Sequence, residues 1–334
     1  MSENINQIAV ENFEKCPLCG GETILLYSDL EDRVFEANGK FTFRKCLNPD
    51  CTVWYLNPMP ADDEIYKCYK TYYTHDEQKK YKTIRPLSLL TRAICKSNMS
   101  IIEKCLGLKK ELHFFRYMGL QQNNPGKLLE IGCGNGKKLL MFKELGWDVE
   151  GIEPDKHAAE MAKNKTGAVI YTDSIEKLNL EADKYDAIIM HHVVEHFKYP
   201  TRILNECFRV LKKKGTLVLG TPNCDGYGSK KFGADWFALE PPRHLILFNN
   251  KSLTKLALTA GFREIIIKPK ISGQRWLFET SEEISSKGDC KHLYHGGISS
   301  PKSIIKSVFY QLKHYQLTQA DPAMGNEIYM WCTK

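Results

Sequence analysis

One stretch constrains this chain more than any other: Lys127-Leu128-Leu129-Glu130-Ile131-Gly132-Cys133-Gly134-Asn135-Gly136. A short apolar strand runs into a turn of alternating glycines, and the pattern from Lys137 to Leu145 is helical. That order places the unpaired N–H groups of a helix N-terminus where backbone can approach a ligand closely. A second strand, Trp147 to Ile152, ends in Glu153, about 21 residues beyond Gly132. A carboxylate there can accept hydrogen bonds from both hydroxyls of a ribose. Strand, loop, helix, strand and terminal acid are the opening unit of a parallel α/β sheet with an adenosine ligand at its carboxyl edge.

Length and composition agree with a folded chain. At 334 residues, 43% apolar and 26% charged, it is sized for two domains, or for one large α/β domain with a smaller attachment. A single small scaffold and global disorder are excluded. No run approaches the roughly 18 consecutive apolar residues that span a bilayer, and the first residues lack the basic-then-apolar layout of a secretory signal. The expectation is a cytoplasmic protein without a membrane span. The net charge is +7, but the basic residues fall in short scattered clusters: Lys79-Lys80, Lys109-Lys110, Lys212 to Lys214 and Lys230-Lys231. No nucleic acid partner is expected. Solvated lysines account for the clusters, with a phosphate-bearing substrate or an acidic partner as the alternative.

Twelve cysteines in such a chain point to metal binding rather than to disulfides. Cys16-Pro17-Leu18-Cys19 and Cys46-Leu47-Asn48-Pro49-Asp50-Cys51, separated by about 26 residues, form two thiolate pairs on tight turns. Gly20-Gly21 allows a knuckle, and Thr23 to Tyr27 with Lys40 to Arg44 reads as a β-hairpin. Cys16, Cys19, Cys46 and Cys51 thus resemble the ligands of a zinc ribbon, whose four sulfurs leave no open position, so the Zn2+ is expected to be structural. Four unrelated thiols are the alternative. The remaining cysteines, Cys68, Cys95, Cys105, Cys133, Cys207, Cys224, Cys290 and Cys332, read as small buried hydrophobes.

Leu56-Asn57-Pro58-Met59-Pro60-Ala61-Asp62 is a proline-punctuated turn. Beyond it Tyr66, Tyr69, Tyr72 and Tyr73 share one face at helical pitch, either docking a helix on its neighbour or lining a substrate pocket as a lid. Residues 81 to 122 read as further helix, ending at Asn123-Asn124-Pro125-Gly126. The expected units are residues 1-60, a zinc-ribbon module, 61-125, a helical lid or linker, and 126-334, the sheet domain.

A dinucleotide site favours Gly-x-Gly-x-x-Gly, whereas here Gly-x-Gly-x-Gly directly follows Glu130-Ile131. This form resembles the first motif of the class I S-adenosylmethionine-dependent methyltransferases. The resemblance continues through Asp186 to His192 as the fourth strand, Arg202 to Leu211 as the next helix and Gly215 to Asn223 as the fifth strand. Leu253 to Gly261 then match a helix, Glu264 to Lys268 a strand and Glu327 to Cys332 the closing strand. It implies a seven-stranded, mainly parallel Rossmann-like sheet with helices on both faces. It also implies that Gly132, Gly134 and Gly136 contact the methionine part of S-adenosyl-L-methionine, Glu153 the ribose, and Asp173 with Ser174 the adenine edge, with Glu130 and His191 in the same cofactor site. Val194-Glu195-His196, Thr221-Pro222-Asn223 and Pro242-Arg243-His244-Leu245 are similar to the ubiquinone-type O-methyltransferases and their relatives in bacterial glycan clusters. The glycan-cluster members also begin with a cysteine ribbon, an Asn-Pro-x-Pro turn and a tyrosine-rich helix.

Methyl transfer to a hydroxyl needs alignment and the removal of a proton. His191, His192, Glu195 and His196 fall beyond the carboxyl end of strand four, where open α/β sheets bind ligands. Three readings stay open for this cluster. It braces the loop, it relays a proton with His192 or His196 as general base, or it holds a divalent ion such as Mg2+, although His192 stands where ubiquinone-type relatives tend to have an acid. Trp236, Glu240, Arg243 and His244 form a second constellation. Arg243 either grips an anionic group of the substrate or pairs internally, and His244 is an alternative base. The expected function is O-methylation of a small-molecule or glycan-type acceptor. Its rivals are C- or N-methylation of a nucleotide-linked sugar or natural product, and a zinc-ribbon docking protein with a vestigial methyltransferase fold.

Overall fold

The computed structural model describes residues 8–35, 37–61, 64–69, 93, 103–104, 106–294 and 297–334. Five short strands come first: β1 (Val10–Glu11), β2 (Thr23–Leu30), β3 (Phe41–Cys46), β4 (Trp54–Leu56) and β5 (Met59–Pro60). β2, β3 and β4 form an antiparallel meander. The cross-strand partners Phe43 and Leu56 are buried on one face and Tyr55 on the other.

A helix, α1 (Leu108–Arg116), leads into the central sheet: β6 (Lys127–Ile131), α2 (Lys137–Glu144), β7 (Asp148–Ile152), α3 (Lys156–Thr166), β8 (Val169–Tyr171), β9 (Tyr185–His191), α4 (Pro200–Val210) and β10 (Leu211–Pro222). There follow α5 (Tyr227–Phe232), β11 (Ile246–Leu247), α6 (Asn250–Thr259), β12 (Arg263–Lys270), α7 (Arg275–Lys287), α8 (Lys291–Tyr294), α9 (Pro301–Ala320) and β13 (Glu327–Thr333). The seven-stranded sheet runs β8-β7-β6-β9-β10-β13-β12. Its first five strands in that order are mutually parallel, and β13 is antiparallel to both neighbours. Leu128, Leu129, Ile188, Ile189 and Met190 are all buried, as strands covered on both faces require. Phe115, Leu139 and Phe142 cover one face, and Leu204, Cys207 and Leu256 the other.

The chain runs outward from β6 to β8 and then returns to place β9 on the other side of β6. That reversal opens a crevice at the carboxyl ends of β6 and β9. Local chemistry fixes the helices around it. Asp155 caps α3 by accepting from Ala158 N at 2.7 Å, and Asn249 with Ser252 forms a capping box on α6.

Three expectations change. The cysteine module is not a unit of residues 1-60, because β11 pairs with β4 and completes its sheet. The added strand covers the edge that β4 would otherwise expose. The sheet domain does not start at residue 126 either, since Phe115 of α1 packs 4.6 Å from Tyr329 of β13. Helices α7 to α9, between β12 and β13, are additional to the elements read from the sequence. α7 buries Glu279, Thr280, Ser281, Glu282 and Glu283 between Phe278 and Ile284, so polar residues dilute the apolar stripe that marks a helix in a sequence. Residues 65–69 are a 3-10 turn rather than the start of an α-helix. The Tyr66 side chain, Tyr72, Tyr73, Cys95, Cys105, Lys79 and Lys80 lie outside the described residues, as does most of 81 to 122.

Candidate active site

The glycine loop sits at the crevice, and each glycine has its own reason. Gly132, Gly134 and Gly136 all adopt left-handed backbone, with φ of 71°, 53° and 74°. A Cβ on Gly132 would lie 2.5 Å from Val193 Cγ2, and one on Gly136 2.8 Å from the Cα of Ala162, so both permit close packing. A Cβ on Gly134 would have no neighbour within 4 Å, because this glycine faces open space. Its N–H donates to Glu153 Oε2 at 2.8 Å, and Asp155 N–H donates to Glu153 Oε1 at 3.0 Å. The acid at the end of β7 is thereby held against the loop tip.

Loop and acid open into a cavity of 2040 Å³ that Glu130, Ser174 and His191 also line. Glu130 is buried, and its Oε2 has no partner among the described residues. Burial raises its pKa to about 8 against the pull of the Lys138 ammonium, and burial lowers that of Lys138. An unpartnered buried carboxyl facing a cavity is a receptor for an ammonium group. Asp173 departs from expectation: it does not line the cavity, and its carboxylate accepts from Ser174 N–H at 2.9 Å and faces Lys177. Ser174 and Ile175 line that end instead.

The histidines divide into two groups. His191 Nε2 lies 2.8 Å from the Tyr329 hydroxyl, and burial holds its pKa well below the ordinary value. His192, at φ 55°, directs Nδ1 to Glu195 Oε1 at 3.3 Å and Nε2 to Glu327 Oε1 at 2.5 Å. Burial pushes its pKa down, but the Glu327 and Glu195 carboxylates outweigh that and raise it to about 10. Glu195 is fully buried, accepts from Thr221 Oγ1 at 3.0 Å and is held down to about 2 by His192 despite its burial. Both nitrogens of His192 are therefore engaged and protonated. So engaged, His192 is placed as a cation between two carboxylates rather than as a general base.

His196 belongs to the other group. Its Nδ1 lies 3.0 Å from the Arg243 carbonyl and 2.9 Å from the Tyr69 hydroxyl. The Arg243 carbonyl only accepts, so it favours the tautomer with the proton on Nδ1 and the lone pair on Nε2. Burial, reinforced by His244, lowers the His196 pKa to about 4. The His244 ring lies 4.8 Å from it, its Nδ1 2.7 Å from Ala238 O. Both rings line the cavity with Tyr69 and Glu240. His192, Glu195 and His196 do not share one face, because the turn Val194–His196 is 3-10 and sends His192 toward β13 and His196 toward the loop of residues 240–245.

Of the two readings of Arg243, the structure favours internal pairing over a grip on the substrate. Its side chain is 0% exposed and lines no part of the cavity. The guanidinium donates to Asp32 Oδ2 at 2.7 Å and Oδ1 at 2.9 Å, to Glu240 Oε1 at 2.9 Å and to Cys68 O at 3.3 Å. It grips the N-terminal hairpin, not a ligand. Asp32 and Glu327 were missed in the sequence because each meets its partner only across the fold, and neither lies in a motif.

At the far end of the hairpin the four sulfurs of Cys16, Cys19, Cys46 and Cys51 lie within 4.8 Å of one another. Cys16 Sγ is 3.9 Å from Cys51 Sγ, and Cys19 Sγ is 3.4 Å from Cys46 Sγ. A zinc tetrahedron with bonds of about 2.3 Å has edges of about 3.8 Å, so the set fits such an ion. The Cys51 thiol, donating to Cys16, pulls the pKa of Cys16 down to about 5.

Comparison with known proteins places this geometry. Residues 105–265 match the family model for a methyltransferase domain. The "Probable S-adenosylmethionine-dependent methyltransferase" of Mycolicibacterium smegmatis is 29% identical over 163 residues, 47% of this chain and 62% of that protein. The mitochondrial ubiquinone biosynthesis O-methyltransferase of Rattus norvegicus is 31% identical over 106 residues, 29% of this chain and 31% of that protein. The chain thus spans less than two thirds of these relatives' length. Among solved structures, a SAM dependent methyltransferase from Archaeoglobus fulgidus is 22% identical with a TM-score of 0.45, over 67% of this chain and 92% of that one. Residues 105–265, which carry the glycine loop and Glu153 at the switch point of the sheet, are thus a methyltransferase domain, similar in sequence to S-adenosylmethionine-dependent methyltransferases.

Proposed function

We propose that the protein is an S-adenosylmethionine-dependent methyltransferase that methylates a hydroxyl of a small-molecule or glycan-type acceptor, with His196 as general base. The observation that carries the reading is a single cavity lined by Glu153, the glycine loop and His196, whose Nδ1 is engaged by the Arg243 carbonyl. When bound, the cofactor supplies an electrophilic methyl group on a sulfonium. Glu153 would hold its ribose, Glu130 its ammonium group, and the backbone of Gly132 and Gly134 its methionine chain.

The remaining work falls to the residues of the acceptor end. His196, neutral and fixed in one tautomer, offers Nε2 to the acceptor proton. His244, its Nδ1 tied to Ala238 O, is the nearest second acceptor for that proton. His192 between Glu195 and Glu327 is a fixed cation at the strand end and keeps Glu195 ionised beside the 3-10 turn. Tyr69, Tyr199, Phe237 and Trp276 line the wall and suit the flat faces of an aromatic or sugar ring. Cys16, Cys19, Cys46 and Cys51 are read as the ligands of a structural Zn2+ that closes the far end of the hairpin.

A mass-shift screen with S-adenosylmethionine and hydroxyl-bearing acceptors tests the reaction. A gain of one methyl group at oxygen, lost in His196→Gln, supports it. Methylation at carbon or nitrogen with full activity in His196→Gln would replace it.

A further inference from the structure

Arg243 lies outside the cavity, yet its side chain joins Asp32, Cys68 and Glu240. One nitrogen pair of its fork closes on Asp32, whose carboxylate also accepts from the N–H groups of Val34, Phe35 and Ala37 at 3.0, 3.0 and 2.9 Å. The Asp32 side chain is thus the centre around which the hairpin tip folds. Burial opposes its ionisation, but Arg243 and these N–H groups keep it ionised. Arg243 Nη1 also reaches Cys68 O, next to Tyr69, whose hydroxyl meets His196. Arg243 Nε holds Glu240, a residue with left-handed backbone at φ 36° that needs such support. Finally, the carbonyl of Arg243 itself takes the Nδ1–H of His196.

We propose that Arg243, clamped by Asp32, is a positioning residue for His196: its side chain fixes the 240–245 loop to the N-terminal hairpin so that its carbonyl selects the tautomer that leaves Nε2 unprotonated. The N-terminal cysteine module is then part of the acceptor end of the site and not an appendage. Two independent ties make that link, the Asp32–Arg243 fork and the pairing of β11 with β4, joined by Leu245 N–H donating to Glu195 O at 2.8 Å. The inference rests on the reading of His196 as the base. A bidentate arginine pair restricts direction as well as distance, which a lysine ammonium cannot do.

The test is ring-nitrogen NMR of histidine-labelled full-length protein in the presence of S-adenosylhomocysteine, with the His196 signal assigned by its loss in His196→Gln. In the wild type His196 is expected as a single Nδ1–H tautomer. In Asp32→Asn and Arg243→Lys it is expected to become a mixture of tautomers, while affinity for S-adenosylhomocysteine is unchanged. An Nε2–H tautomer in the wild type, or an undisturbed His196 in folded variants, would overturn the proposal. Should Asp32→Asn not fold, Arg243→Lys decides, because it keeps the buried charge. Failure of that variant to fold would assign the pair to stability alone and also overturn the proposal. A wild type that binds no S-adenosylhomocysteine would instead defeat the functional reading, and the tautomer of His196 would still be measured in the free protein.

Discussion

His192 Nε2 lies 2.5 Å from the Oε1 of Glu327, a residue 135 positions further along the chain. The contact ties the end of the fourth sheet strand to the start of the last one, and it turns His192 into a fixed cation rather than a base. The linkage follows from its sign. The folded-state pKa is raised to about 10, above the unfolded value of about 6.5, so the contribution to stability is full below about pH 6.5 and is lost as pH rises through about 10. Urea unfolding of the wild type and of Glu327→Gln should show the wild-type advantage shrinking between about pH 7 and about pH 10. A gap that stays constant over this range would mean that His192 is neutral in the folded protein.

His196→Gln should lower kcat by about 100-fold to 10,000-fold, the ordinary worth of a general base, and leave the affinity for S-adenosylhomocysteine unchanged. Because burial lowers the His196 pKa to about 4, the wild-type rate should hold through the weakly acidic range and fall only as pH approaches about 4. A pH–rate profile checks this. An acid limb near the ordinary histidine value would point to another base.

The Asp32–Arg243 pair is fully withdrawn from solvent. Truncating Arg243 to Met leaves the Asp32 carboxylate buried and uncompensated, which should cost about 3–5 kcal/mol of unfolding free energy. Denaturant titration of Arg243→Met measures it, and a loss below about 1 kcal/mol would show that the hairpin tip opens to water without penalty.

Metal analysis of the purified protein should find zinc in a single equivalent per chain, reduced in Cys16→Ser and in Cys46→Ser. Both variants should also melt earlier, because the free energy of a structural zinc site is folding free energy. Full zinc content in both variants would remove these cysteines as ligands.

The parallel half of the fold could be read from residues because its signals are local. The apolar run Leu128 to Ile131, the glycine turn and the acid Glu153 lie within one short segment, and their chemistry does not depend on distant partners. The paired cysteines are legible for the same reason. Asp32 and Glu327 are not, since a lone acid in a strand or hairpin has no pattern until its partner, Arg243 or His192, is brought to it. His192 and His196, equal candidates in the sequence, are told apart by the same kind of distant contact: only the fold shows that one meets two carboxylates and the other a carbonyl and a phenol. α7 and α9 carry no clear apolar stripe because many of their buried residues are polar, with Glu283 accepting from Ser300 N–H and Gln311 donating to Ile271 O.

Calorimetric titration of the folded protein with S-adenosylhomocysteine tests the account at its centre. Saturable binding at one site is expected, weakened about 10-fold to 100-fold in Glu153→Gln by the loss of charged hydrogen bonds to the ribose. No heat with folded wild-type protein, or equal affinity in the two proteins, would contradict the placement of the cofactor at the glycine loop.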